Sequence, residues 1–155
     1  MKKSILFIAI LFLASFAKAQ SDKEEIELMQ AAFGMDKKEI VNEFVKPSDT
    51  QKDAFWKLYD QYETERKSLG RERIDLLKQY AAQYKAMTGE QADAWTKKAM
   101  DLQKRTDKLI TTYYDKVKSA SDPIVATQFY QIENYILANV RAEILENVPF
   151  LEKKK

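Results

Sequence analysis

The side chains that most often carry out chemistry in proteins are scarce in this sequence. Its 155 residues include no histidine and no cysteine. Losing histidine removes the commonest general base and the commonest transition-metal ligand together. Serine–histidine and cysteine–histidine mechanisms are excluded, as are zinc, copper and nickel sites of the usual kind. Carboxylates, lysines and tyrosines remain. Glu24 and Glu25 have the composition of an acid–base pair, but neighbours on a helix point about 100° apart, so they do not converge on one substrate. No catalytic residue, metal ligand or cofactor is expected, and the chain reads as a non-enzyme.

Three charged residues suggest a structural role instead. Arg66 and Arg73 continue an apolar helical stripe at seven-residue spacing, and Glu133 lies in the last helical segment. Facing inward, they would form a buried, hydrogen-bonded ion pair that fixes helix register. The wider run Glu63, Glu65, Arg66, Arg71, Glu72 and Arg73 reads as a recognition patch or, more commonly for such a run, as a solvated helix middle. Tyr59, Tyr62, Tyr80 and Tyr84, with Phe55 and Tyr113, form an aromatic stripe. Tyrosine offers apolar area with a polar tip, which suits a client-binding surface; the same spacing also suits the core of a bundle.

The elements that must position these residues are helices. Only three glycines and three prolines interrupt the chain, and they divide it into four segments. Residues 22–46 carry Ile26, Met29, Phe33, Ile40, Val41 and Phe44 at helical spacing, with a break expected near Gly34 and a stop at Pro47. Ser48 with Gln51, and Thr88 with Gln91, have capping-box spacing, in which the hydroxyl accepts an orphan N–H and the glutamine reaches back. The helix after Ser48 is expected to run to about Met87, roughly 58 Å if straight, so either the molecule is long or Gly70 kinks it. The helix after Thr88 is expected to reach about Ser119. Ser121-Asp122-Pro123 opens the last helix, with proline in the first turn where its missing N–H is harmless, and Pro149 closes it. Acid-before-base pairs Asp53–Lys57, Glu63–Lys67, Asp93–Lys97 and Asp101–Arg105 are spaced to support exposed helix faces. The fold class is all-α: an elongated bundle of about four helices in antiparallel hairpins, forming one domain over residues 20–155 with a frayed tail at 152–155.

The amino terminus has the three-part layout of an export signal. Lys2 and Lys3 precede the apolar run Ser4 to Phe16, and Ala17-Lys18-Ala19 supplies small residues at the cleavage positions. The run is shorter than the ~20 residues that span a bilayer, so residues 1–19 read as a removable signal rather than an anchor. Their removal takes three lysines and no acid from 26 basic and 24 acidic residues, leaving a net charge of −1. A near-neutral mature chain gives no electrostatic reason to bind nucleic acid or an anionic membrane. The expected location is periplasmic or secreted, without a membrane anchor.

Two similar openings, Pro47-Ser48-Asp49-Thr50-Gln51 and Met87-Thr88-Gly89-Glu90-Gln91, each precede a tryptophan, Trp56 and Trp95. With Phe55-Trp56-Lys57-Leu58-Tyr59 and Phe129-Tyr130-Gln131-Ile132-Glu133-Asn134, they resemble the LTXXQ-motif family of exported helical proteins, the Spy- and CpxP-like periplasmic proteins. The likeness spans roughly residues 36–150. The second opening departs by Met87 in the leucine place, the first by Pro47 for leucine and Ser48 for threonine. The resemblance implies a four-helix hairpin-like fold, often a homodimer with a concave face, that binds unfolded protein clients without ATP or modulates envelope-stress signalling. The absence of histidine argues against the metal-responsive branch. The alternative is a structural or signalling protein that binds one defined envelope partner.

Overall fold

The structure, a computed structural model, describes residues 36–151. Residues 1–35, which hold the expected export signal and much of the first expected helical segment, and the tail 152–155 lie outside the described residues. Four helices follow one another: α1 (Lys37–Phe44), α2 (Asp49–Gln83), α3 (Gly89–Ala120) and α4 (Pro123–Asn147). There is no strand among the described residues.

Each helix starts where a short polar side chain meets orphan N–H groups. Asp36 accepts the Lys38 N–H at 2.8 Å and opens α1. At α2, Gln51 Oε1 accepts the Ser48 N–H at 3.1 Å, while the Ser48 hydroxyl sits 3.1 Å from that of Thr50. At α3 both arms of the box are made: Thr88 Oγ1 accepts the Gln91 N–H at 3.2 Å, and Gln91 Oε1 accepts the Thr88 N–H at 2.8 Å. Asp122 caps α4 through two N–H groups, those of Ile124 (2.7 Å) and Val125 (3.0 Å), with Pro123 in the first turn. Gln51 also donates to Asp122 at 3.1 Å, tying the start of α2 to the start of α4.

That contact sets the topology. Gln51–Asp122 at one end and Tyr80–Pro149 at the other align α2 and α4 in the same direction. Glu72–Arg105 and Glu65–Tyr113 place α3 antiparallel to α2, and Gln103–Arg141 places it antiparallel to α4. The three long helices therefore run up, down and up. Short α1 lies over the first half of α2 and α4, with Lys38 on Asp60 and Lys46 on Gln128. The helix α2 is continuous through Gly70 and ends at Gln83, four residues before the expected Met87. Its 35 residues make it about 52 Å long.

The main core gathers Ile40, Val41 and Val45 from α1 and its end, Phe55, Tyr59 and Tyr62 from α2, Ile110, Tyr113 and Val117 from α3, and Val125, Phe129, Ile132 and Ile136 from α4. The Tyr62 ring meets Tyr113 and Phe129 edge-on at 5.4 and 5.1 Å, the favoured geometry for ring quadrupoles. Towards the α2–α3 turn, the Tyr80 ring lies 4.6 Å from Trp95, whose indole N–H donates to the Leu76 carbonyl at 3.0 Å.

Candidate functional site

Two of the three charged residues singled out from the sequence, Arg66 and Glu133, meet Lys37 and Glu63 at the start of α1. Glu133 is fully buried on α4, one turn from Phe129 and from Ile136. Its Oε2 accepts from Lys37 Nζ at 2.7 Å and from the Tyr62 hydroxyl at 2.7 Å. Lys37 stands one turn before Ile40 and Val41, so the face that buries them buries it as well. Its ammonium also bridges Glu63 and lies 5.1 Å from the Tyr62 ring centroid and 5.6 Å from that of Tyr59. Arg66, buried too, forks onto Glu63 with Nε–Oε1 2.7 Å and Nη2–Oε2 3.0 Å. Two cations and two carboxylates from three helices thus close a cluster of no net charge.

Burial raises the pKa of the Glu63 carboxyl, but Lys37 and Arg66 outweigh it and hold the group down to about 2. Burial and then the charge of Glu133 push the Tyr59 and Tyr62 phenols well above the ordinary value. The Tyr59 hydroxyl and Glu133 Oε1 are buried without a hydrogen-bond partner. A set this enclosed can clasp helices together.

This arrangement corrects several expectations. The cation seated on Glu133 is Lys37, which was not singled out from the sequence because a lysine beside a helix start reads as solvated. Arg73 is only half-buried and donates to Thr106 Oγ1 across 3.4 Å. The run 63–73 is not a uniformly solvated helix middle: Glu63 turns inward to Lys37 and Arg66, whereas Asp93–Lys97 and Asp101–Arg105 do form on the exposed face of α3. Tyr59, Tyr62 and Tyr80 line no surface, because they are 1, 0 and 4% exposed. Tyr84 is half-buried, stacked 5.9 Å from Tyr80. The aromatic stripe is core, since α3 and α4 both bury their apolar faces against it.

The exposed apolar side chains lie elsewhere, chiefly on α4. This helix is apolar nearly all round, a pattern expected of an element covered on more than one side. Its inner arc is in the core. Its outer arc presents Ile124, Tyr130, Gln131, Tyr135, Ala138, Ala142 and Leu145, with charge only at Arg141 and Glu146. On α2 and α3 more than half of the exposed residues are charged. Ile124 is 71% and Leu145 59% exposed, and Phe150 follows at 87%. Sequence periodicity could have found this face by asking which helix lacks a charged side. No helix among the described residues is long and apolar enough to cross a membrane. Compared with known protein families, curated proteins and solved structures, the chain matches none.

Proposed function

We propose that the protein is an exported, ATP-independent protein-binding module, a periplasmic chaperone or envelope-stress adaptor that seats other proteins on the outer face of α4. The observation that carries this reading is the exposed stripe from Ile124 to Leu145, bordered by the single charge of Arg141, in a chain that is otherwise densely charged. An exposed apolar surface with a polar surround is what a binding site for protein requires. The two capped openings support the reading through their likeness to the LTXXQ-motif proteins. The buried ion cluster joins three helices through Lys37, Glu63 and Glu133, which suits a structural part in such a module.

Between the two forms of the proposal, the stripe is one helix wide, and a narrow patch favours one defined partner over many clients. A photo-crosslinking residue at Ala138, in the full-length protein in living cells, separates them. One discrete adduct is expected for an adaptor and a broad smear for a chaperone, and a Leu145→Glu change should abolish either. No adduct in the cell envelope would refute the α4 reading. Suppressed light scattering from several unrelated aggregating clients, lost in Leu145→Glu, would establish the chaperone form. Mass spectrometry of envelope protein beginning at Gln20 would establish export.

A further inference from the structure

The exposed stripe of α4 has a period. Ile124, Gln131, Ala138 and Leu145 recur at every seventh position, with Thr127 and Ala142 at three- and four-residue steps between them, and all six are exposed. At 100° per residue they fall on an arc of about 60°. Phe129, Ile136 and Val140 of the core lie on the opposite side of the helix. The flanks of the arc are held by neighbouring elements. On one flank Tyr130 meets Tyr114 of α3 edge-on at 6.1 Å and Arg141 donates to Gln103 of α3. On the other, Gln128 accepts the Lys46 N–H from the end of α1. The arc itself points away from both neighbours.

A seven-residue repeat is the period at which two helices share a continuous seam. From Ile124 to Leu145 the seam is about 32 Å long, and its positions recur every ~5 Å. A second helix repeats at that interval. A strand presents side chains on one face every ~6.8 Å and loses phase with the seam within two steps. We propose, on the reading of α4 as a protein-binding face, that the segment seated there is an amphipathic helix of the partner protein, about six turns long and packed along this seam. Ile124 and Leu145 are large and Ala138 and Ala142 are small, so the partner's leucine-sized side chains belong opposite the middle. Arg141 stands on the flank towards α3 and Glu146 on the opposite flank. A partner helix with acid along one flank and base along the other meets both, and such flanking charges set the direction of a helix pair. A second copy of α4 fits less well. Antiparallel pairing of Ile124 with Leu145 sets Gln131 against Ala138 and Thr127 against Ala142. That middle adds little to the ~800 Å² that each partner of a stable complex usually buries.

Two synthetic peptides of about 22 residues and identical composition test this with the mature protein. In one, leucines follow the seven-residue seam, with glutamate along one flank and lysine along the other. In the second, the same residues are shuffled so that leucine alternates with charge. The seam peptide is expected to bind at least ~10-fold more tightly in fluorescence anisotropy, and Ala138→Glu with Leu145→Glu should remove that advantage. Equal affinity for the two peptides, or binding of neither, would overturn the proposal. In cells, mass spectrometry of the adduct formed at Ala138 should map the captured segment to a helix with an apolar seam. Absence of any adduct refutes the protein-binding reading and the partner helix together. An adduct mapped to an extended segment, or to a second copy of this chain, overturns the partner helix alone.

Discussion

At the scale of single residues, the buried cluster decides which substitutions matter. A carboxylate as enclosed as Glu133 is tolerated only because Lys37 and Tyr62 satisfy one of its oxygens; leaving a buried charge unpaired costs several kcal/mol. Glu133→Ala is expected to destabilise by ~3–5 kcal/mol, and Lys37→Ala by a comparable amount. Urea denaturation of both singles and the double measures their coupling. The double should lose much less than the two singles added together; strict additivity would mean the two do not act as a pair. The pH response follows from two shifts of opposite sign. Glu63 has a folded pKa of about 2 against an ordinary 4.5, so its contribution is complete above 4.5 and is lost as pH falls from there through 2. Burial, then the hydrogen bond to Glu65, pushes the Tyr113 phenol up to about 12. Its contribution is complete below the ordinary value of 10 and is lost as pH rises through 12. Stability should be flat between these limbs, and Glu63→Gln should flatten the acid limb. The sequence disclosed part of this cluster. Arg66 and Glu133 lie on apolar stripes, so their spacing marks them as inward-pointing. Lys37 occupies an equally good position relative to Ile40 and Val41, but its type reads as solvent, and only a carboxylate on another helix reveals why it is buried.

At the scale of elements, the helix starts were the most legible feature because capping is local chemistry. Thr88 with Gln91 and Asp122 with Pro123 act through atoms within three residues of one another, so no tertiary knowledge is needed to place them. The far end of α2 was less legible. No glycine or proline stops it at Gln83, and nothing in residues 84–87 forbids another turn. It ends where Tyr80 is drawn to Pro149 and Trp95 to the Leu76 carbonyl, both contacts with distant parts of the chain. The same distinction ranks the caps. Thr88→Ala removes one side-chain acceptor and is expected to cost about 1 kcal/mol. Asp122 accepts two backbone N–H groups and the Gln51 amide, which also lowers its pKa, chiefly through the Val125 N–H. Asp122→Ala should therefore exceed Thr88→Ala, since it frees the start of α4 and unties it from α2. Equal midpoints for the two variants in urea denaturation would show that the tie contributes nothing.

At the scale of the whole molecule, local signals add up to a shape. A chain with so few breakers makes long helices, and long helices that alternate in direction can bury their stripes only side by side. A compact chain of this length has a radius of gyration of about 14 Å. The helix α2 alone, at about 52 Å, would give a rod a radius of gyration near 15 Å before any thickness is added. Neither α3, at 32 residues, nor α4, at 25, folds back across it. Small-angle scattering of the monomeric mature protein should therefore give a value clearly above 14 Å, with an asymmetric distance distribution extending beyond 50 Å. The extended form is also what leaves α4 with an outer side: in a three-helix layer each long helix touches its neighbours over part of its circumference and shows the rest to water. On α2 and α3 more than half of that remainder is charged, whereas on α4 the exposed charges are Arg141 and Glu146 alone. Adding charge there with Ala138→Glu and Leu145→Glu should leave the scattering profile and the helical circular dichroism unchanged. A shift towards 14 Å or a loss of helix in that variant would mean the face supports the fold; unchanged shape with lost binding would place its role outside the fold.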